Sequence, residues 1–141
     1  MKHKKPIHIT IAASDWPAQK MRYKTVGDWI YHIDGDELIL DITVANTKNT
    51  DYDFLIILHE IVECYLCYKR GISDEEVTQF DKDHEKNENP GNLTTAPYHN
   101  EHRVATIIEK LLARELHAKL KDYDKKLSVI YKKIPSRKVT Q

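Results

Sequence analysis

Residues 51–70 have the sequence DYDFLIILHEIVECYLCYKR, which includes the longest apolar run of the chain, Phe54 to Leu58. At 100° per residue this segment forms a helix that is apolar on nearly every side, and such helices are usually buried. A broad apolar face is predicted for Phe54, Leu55, Leu58, Ile61, Val62 and Tyr65. The opposite sector carries His59, Glu60 and Glu63. Burying an imidazole and a carboxylate without partners is costly, so a partner is expected, and a metal ion accepts both.

The spacing of these residues indicates a metal-binding helix. His59 and Glu63 are four residues apart, which places their side chains on one face. Glu60 follows His59, at the position of the general base in the His-Glu-x-x-His helix of metalloproteases. We therefore predict that His59 and Glu63 bind a divalent cation and that Glu60 is a catalytic base. Zinc is the first cation expected, and because Glu63 replaces the second histidine, manganese or iron are alternatives.

A third ligand is expected from residues 99–103, whose sequence is HNEHR. On the wheel of this later helix Glu101 falls within the apolar stripe and His102 lies at its flank. Both are predicted metal ligands, and if one binds the ion the other can orient it. Asp81 is predicted to be a supporting carboxylate, whereas His84 is expected to be a hydrogen-bonded core histidine.

A purely structural explanation of the same residues stays open. A five-residue motif of this kind arises often by chance. His59 and Glu63 could pair with each other, or with Arg70 or Arg103, and hold no metal. Glu101 could simply favour the positive end of its helix.

The first fifty residues show the alternation that is typical of strands. Apolar residues occupy every second position from Ile7 to Ile11, which predicts a half-buried strand, and again from Leu38 to Val44. A further apolar stretch covers Trp29 to Ile33, and Asp34-Gly35-Asp36 provides the chemistry of a hairpin turn. These patterns predict a small antiparallel sheet of about three strands within residues 1–50.

Three or four helices are predicted after the sheet. The helix of residues 51–70 ends before Gly71, a residue that is common after helix C-termini. Ser73 and Glu76 form a capping box that begins a second helix, which fades near Asn87. A third helix is expected from about Pro97 to Leu120. The fold class is therefore α+β, in one domain with a sheet region (about 1–50), a helical region with the metal site (51–120) and a basic tail (121–141) in which one more helix is expected.

Composition limits the classes of partner. The chain has 141 residues, of which 40% are apolar, and its 22 basic and 22 acidic side chains cancel. Net charge therefore gives no indication of a nucleic-acid or membrane partner, and the basic tail is interpreted as a solvated face. The apolar run Phe54 to Leu58 is far shorter than the ~20 residues that span a bilayer. A cytoplasmic location is expected, with Cys64 and Cys67 as small buried residues rather than a redox pair.

Several segments resemble a family of small uncharacterised proteins encoded by bacteriophages and prophages. They lie between about Tyr23 and Leu116 and comprise Thr25-Val26-Gly27-Asp28-Trp29, Leu58-His59-Glu60-Ile61-Val62-Glu63, Gly71-Ile72-Ser73, Phe80-Asp81 and Pro97-Tyr98-His99-Asn100-Glu101-His102. The resemblance brings no activity with it. It implies that one site contains His59, Glu60, Glu63, Asp81, Glu101 and His102. For a phage-encoded protein it also implies the host cytoplasm.

The order of elements also resembles that of zincin metallopeptidases. These enzymes place a small sheet before a His-Glu-x-x-His helix and take a third ligand from a later helix. This resemblance implies a metal-dependent hydrolase whose substrate is a protein or peptide. The alternative is a non-catalytic phage accessory protein that binds another protein and in which the ionisable cluster is structural. None of these patterns predicts an oligomeric state.

Overall fold

The computed structural model describes residues 8–137 and contains, within them, a three-stranded sheet followed by four α-helices. The strands are β1 (His8–Trp16), β2 (Gly27–Asp34) and β3 (Glu37–Ala45), and the helices are α1 (Thr50–Arg70), α2 (Asp74–Asp83), α3 (His99–Glu115) and α4 (Leu120–Lys133). Short 3-10 segments occupy Ala18–Lys20 and Pro90–Asn92. The predicted α+β class is confirmed, and the basic tail does contain a helix.

The sheet is mixed, which corrects the expectation of a wholly antiparallel sheet. β3 lies in the centre and pairs antiparallel with β2, through a tight turn in which Gly35 has a positive φ of 61°. β1 pairs with β3 in parallel, from His8 opposite Glu37 to Trp16 opposite Ala45. Residues 17–26 carry the chain past β3 to its other side. β1 and β2, although consecutive, are therefore not neighbours.

β1 is exposed along its whole length, so the expected half-buried strand is also corrected. Ile9 and Ile11 are opposite the buried Leu38 and Leu40, yet they are 56% and 47% exposed. The reason is that α1 packs mainly over β2 and β3, which leaves this outer strand largely uncovered. Ile7, which was expected to share the face, lies outside the described residues.

Helix α1 has the ends that its sequence predicts. The side chain of Asn49 accepts a hydrogen bond from the backbone N–H of Tyr52, and Gly71 adopts the left-handed conformation after the last turn. Its burial differs from the expectation, because Phe54 and Tyr65 on the predicted apolar face are 50% and 37% exposed. The ionisable sector is instead the buried one, and it faces the sheet and α3.

The hydrophobic core lies between the sheet and the helices. Trp29, Leu40 and Leu55 are buried in it, together with Cys64 and Cys67 of α1. Both cysteines are free and fully buried, as expected. Burial raises the pKa of both thiols far above the usual range, so they stay protonated. Among the described residues, no helix combines the length and the apolar character needed to cross a membrane.

Helix α2 begins with the predicted capping box. The Ser73 side chain accepts from the backbone N–H of Glu76, and the Glu76 side chain accepts from the backbone N–H of Ser73. The helix ends at Asp83, four residues earlier than expected. α2 leads into the loop that contains Pro90–Asn92, and this loop approaches the first turn of α3.

Candidate metal centre

Three side chains from two helices converge on one point. His59 Nε2 lies 3.1 Å from Glu63 Oε2 and 3.2 Å from His102 Nδ1. The third side of this triangle, from His102 Nδ1 to Glu63 Oε2, is 2.8 Å. These three residues form a group that could hold a metal ion among the residues that the structure describes.

The triangle is close to the size that a shared ion requires. Nitrogen and oxygen ligands lie about 2.0–2.2 Å from zinc, which places neighbouring ligand atoms about 3.3–3.6 Å apart in a tetrahedral site and about 3 Å apart in an octahedral one. Two imidazole nitrogens and one carboxylate oxygen are a known donor set for catalytic zinc and for non-haem iron. The residues present therefore fit a divalent transition metal.

The fold determines both the spacing and the orientation of these three side chains. His59 and Glu63 are one helical turn apart on α1, and His102 comes from the first turn of α3. Trp29 Nε1 donates to Glu63 Oε1 at 2.9 Å, which leaves Glu63 Oε2 for the cluster. The tryptophan of β2 thus orients one ligand, as partners of metal-binding carboxylates commonly do.

Hydrogen bonds within the cluster set the charges of Glu63 and His59. Burial alone would raise the pKa of Glu63, but hydrogen bonds with His102 and His59 outweigh it and lower the pKa to about 2. Burial would likewise lower the pKa of His59, yet hydrogen bonds to Glu109 and Glu63 hold it well above its usual value. Without metal, the cluster is therefore an ionised carboxylate joined to a protonated histidine. A bound cation would replace that proton.

Glu60 lies beside the cluster without belonging to the triangle. Its Oε2 is 3.8 Å from His59 Nε2, and its side chain is buried. Burial raises the pKa of Glu60 well above its usual value, and the charge of Glu63 raises it further. A carboxylate with a raised pKa, close to the ligand atoms but free of the triangle, suits proton transfer better than ligation.

Two glycines allow the backbone to approach the site closely. A Cβ on Gly27 would lie 2.7 Å from Glu60 Cδ, and a Cβ on Gly91 would lie 2.5 Å from His102 Cγ. Separations below 3.0 Å are not found for real Cβ atoms. The absence of a side chain at Gly27, at the start of β2, and at Gly91, before α3, therefore leaves room for the Glu60 carboxyl and the His102 ring.

A cavity of about 90 Å³ adjoins the cluster, and its walls include His59, Glu60, Glu63 and His102. A second cavity of about 310 Å³ shares His59, His102 and Glu109 with it and extends along α4 towards Tyr131. The smaller cavity has room for water beside the ligands. The cluster is therefore buried without being fully closed.

The structure does not bring the other predicted residues into the triangle. Glu101 is buried as expected, but its Oε2 accepts from Arg70 at 2.6 Å. Asp81 accepts from the hydroxyls of Tyr23 and Tyr98 and makes no hydrogen bond to the three ligands. Asp81 is one residue removed from the triangle, because its hydrogen-bond partner Tyr98 packs edge-on against the His102 ring.

His84 is hydrogen-bonded, as the sequence predicts, but it is half-buried and not in the core. Its Nδ1 lies 2.8 Å from the backbone oxygen of Phe80, and its ring stacks on the Phe80 ring. It has no part in the triangle.

Because the pKa of Asp81 is raised, we expect the stability of the protein to depend on pH. Burial raises the pKa of Asp81 to about 7, although hydrogen bonds from Tyr98 and Tyr23 oppose the rise. The folded protein therefore holds this proton more tightly than the unfolded chain, so the contribution to stability is full below about pH 4 and is lost as the pH rises to about 7. The loss is on the order of a few kcal/mol. We expect Asp81→Asn to flatten the free energy of unfolding across this window, as measured by urea titration.

Asp83→Asn is the matched control, because Asp83 is exposed on the same helix and accepts only from Gln79. It should leave the pH dependence of wild type unchanged. Parallel curves for wild type and Asp81→Asn between pH 4 and pH 7 would contradict the prediction.

Sequence reasoning missed Glu109 and Tyr123. Glu109 Oε1 lies 2.7 Å from His59 Nδ1, and the Tyr123 hydroxyl donates to Glu109 Oε2 at 2.5 Å. A signal for Glu109 was present, because it is seven residues after His102 and so lies near the same face of α3. Tyr123 had no such signal, since it lies on α4 in the segment interpreted as a solvated basic tail.

Comparisons of the chain with protein-family models, with curated proteins and with solved structures found no match.

Proposed function

We propose that this protein is a metal-dependent hydrolase in which His59, Glu63 and His102 bind one divalent cation and Glu60 is the general base. The observation that carries the proposal is the triangle of ligand atoms with sides of 2.8–3.2 Å. Zinc is the first candidate, and manganese or iron suit the same donors. A peptide or protein is the first class of substrate to test.

The surroundings of the cluster support catalysis over a purely structural metal. A catalytic metal needs a coordination position that protein does not fill. The 90 Å³ cavity beside the ligands supplies the space for it. When bound, the cation would lower the pKa of a water molecule and polarise a carbonyl group. The chain itself offers Glu60, whose carboxylate lines the same cavity, to accept the proton.

The competing function is that of an accessory protein that binds another protein, with the cluster as a fold-stabilising network. Burial of the cluster is the observation that favours it, since His59, Glu60 and Glu63 are all buried. In this case the metal, if bound, would stabilise the fold and Glu60 would have no chemical task. The two functions therefore differ in what Glu60 does, and both allow a metal.

Metal content tests the site itself. Protein purified without a histidine tag and incubated with zinc, manganese or ferrous iron is expected to retain about one metal ion per chain after gel filtration. His102→Ala should lose it, because two donors hold a cation far less tightly than three. His32→Ala is the matched control, since His32 is exposed on β2 and distant in sequence from the cluster.

Elemental analysis by mass spectrometry measures the result. A wild-type chain that retains none of the three metals, or a His102→Ala variant that retains as much as wild type, would overturn the proposed site.

A further inference from the structure

A chain of hydrogen bonds runs from helix α4 to the metal cluster. The hydroxyl of Tyr123 donates to Glu109 Oε2 at 2.5 Å, and Glu109 Oε1 lies 2.7 Å from His59 Nδ1. Tyr123 is 1% exposed, and the side chain of Glu109 is largely buried. Both bonds therefore lie largely out of bulk solvent, beside the cavity of about 310 Å³ that Glu109 and Tyr123 line.

The chain determines which nitrogen of His59 carries hydrogen. A carboxylate group accepts a hydrogen bond from a ring N–H, so the 2.7 Å contact with Glu109 favours the tautomer of His59 that has hydrogen on Nδ1 and its lone pair on Nε2. Nε2 is the atom that faces Glu63 and His102.

Glu109 is placed to orient a ligand and not to be one. Its carboxylate meets the far nitrogen of the His59 ring, so the imidazole stands between Glu109 and the triangle. Metal-binding histidines commonly donate their other N–H to a carboxylate in this way.

Tyr123 holds that carboxylate in turn. Its ring packs edge-on against Tyr52 in the first turn of α1, at 5.1 Å between centroids. Contact with α1 on one side and the hydrogen bond to α3 on the other give its hydroxyl one position. Glu109 Oε1 is thus directed at His59 by a residue from a third helix.

We infer that Glu109 and Tyr123 are positioning residues of the metal site: Tyr123 holds Glu109, and Glu109 aims Nε2 of His59 at the cation. This inference rests on the proposed function. It makes α4 part of the site, although α4 supplies no ligand. Because coupling between two events is reciprocal, metal binding also strengthens the attachment of α4.

Metal affinity of the full chain tests the inference. Zinc affinity is measured by competition with a chromophoric chelator, and cobalt(II) absorption reports the geometry of the bound ion. Glu109→Ala is expected to lower zinc affinity by about 10- to 100-fold and to change the cobalt spectrum. Glu109→Gln, whose amide oxygen can still accept from Nδ1, should retain part of the affinity.

Tyr123→Phe removes one hydroxyl and keeps the ring, so it should lower the affinity in the same direction by a smaller factor. Tyr52→Phe is its matched control, because Tyr52 lies against Tyr123 and the bond to Glu109 does not involve it. This control should bind zinc as wild type does. If Glu109→Ala fails to fold, Tyr123→Phe decides the question.

The results of these measurements separate the proposed function from the inference about Glu109 and Tyr123. A wild-type chain that binds no metal refutes the proposed function. A wild-type chain that binds zinc, with Tyr123→Phe and every folded Glu109 variant equal to it in affinity and cobalt spectrum, overturns the inference and leaves the metal site standing. Lower affinity with an altered cobalt spectrum in these variants, and not in Tyr52→Phe, supports it.

Discussion

Glu60→Gln is expected to lower the rate of hydrolysis by about 100- to 10,000-fold, the usual contribution of a general base. The amide has the shape of the carboxylate but accepts no proton at neutral pH. Because Glu60 lies outside the triangle of ligand atoms, bound metal and the free energy of unfolding should stay close to wild type. Rates are measured by mass spectrometry of a peptide library incubated with zinc-loaded protein.

Glu101→Gln is the matched control, since Glu101 is another buried carboxylate but pairs with Arg70 instead of the cluster. Its rate should stay within a few fold of wild type. Equal rates for wild type and Glu60→Gln, each with one metal bound, would exclude Glu60 as the base. If wild type cleaves nothing while it holds its metal, the accessory-protein function becomes the better one.

Gly91→Ala is expected to weaken metal binding because its Cβ would occupy the place of the His102 ring. Overpacking of this kind costs about 1–3 kcal/mol. If the ring swings away in the metal-free protein, bringing it back costs the same free energy, which corresponds to a loss of roughly 5- to 150-fold in affinity. Competition with a chromophoric chelator measures this loss.

Gly27→Ala is to be compared with Gly91→Ala, because it affects Glu60 instead of His102. The three atoms nearest to its Cβ would all belong to Glu60, so it should lower the rate of hydrolysis and leave metal affinity unchanged. Gly35→Ala controls for the general cost of losing a glycine, because Gly35 has positive φ and open space around it. Unchanged metal affinity in Gly91→Ala would mean that His102 tolerates displacement and is not a ligand.

Local sequence patterns predicted those parts of the fold that depend on neighbours along the chain. The ends of α1 follow from Gly71 and from the run of helix-forming residues before it. The start of α2 follows from the capping box of Ser73 and Glu76, and the β2–β3 turn follows from Gly35. In each case the residues that determine the geometry lie within a few positions of each other.

The direction of β1 could not be predicted in this way. An alternating strand has the same apolar pattern whether its neighbour is parallel or antiparallel. Strands that follow each other usually pair, which favours β1 next to β2. The structure instead places β3 between them. No pattern in the ten residues from 17 to 26 predicts that this segment passes across the position of β3.

The sequence predicts the three residues of the triangle but not Glu109 and Tyr123, which lie behind His59. His59 and Glu63 stand out because they interrupt an apolar helix, and His102 because it lies beside an inward acid. Glu101 was predicted to be a ligand because an inward acid needs a partner. That partner is Arg70, the last residue of helix α1. The position of Glu109 on the His102 face of α3 can be read from the spacing, but its contact with His59 depends on how α1 and α3 pack together.

The parallel pairing of β1 has a consequence for the order in which the sheet assembles. The tight turn at Gly35 brings β2 and β3 together by closing a very short loop. β1 pairs with β3, which comes after β2 in the chain, and closing the longer loop between them costs more chain entropy. Once in place, β1 contributes little burial, since all nine of its residues are exposed. We therefore expect the hairpin to form before β1 joins the sheet, and we expect β1 to detach from it more readily than β2.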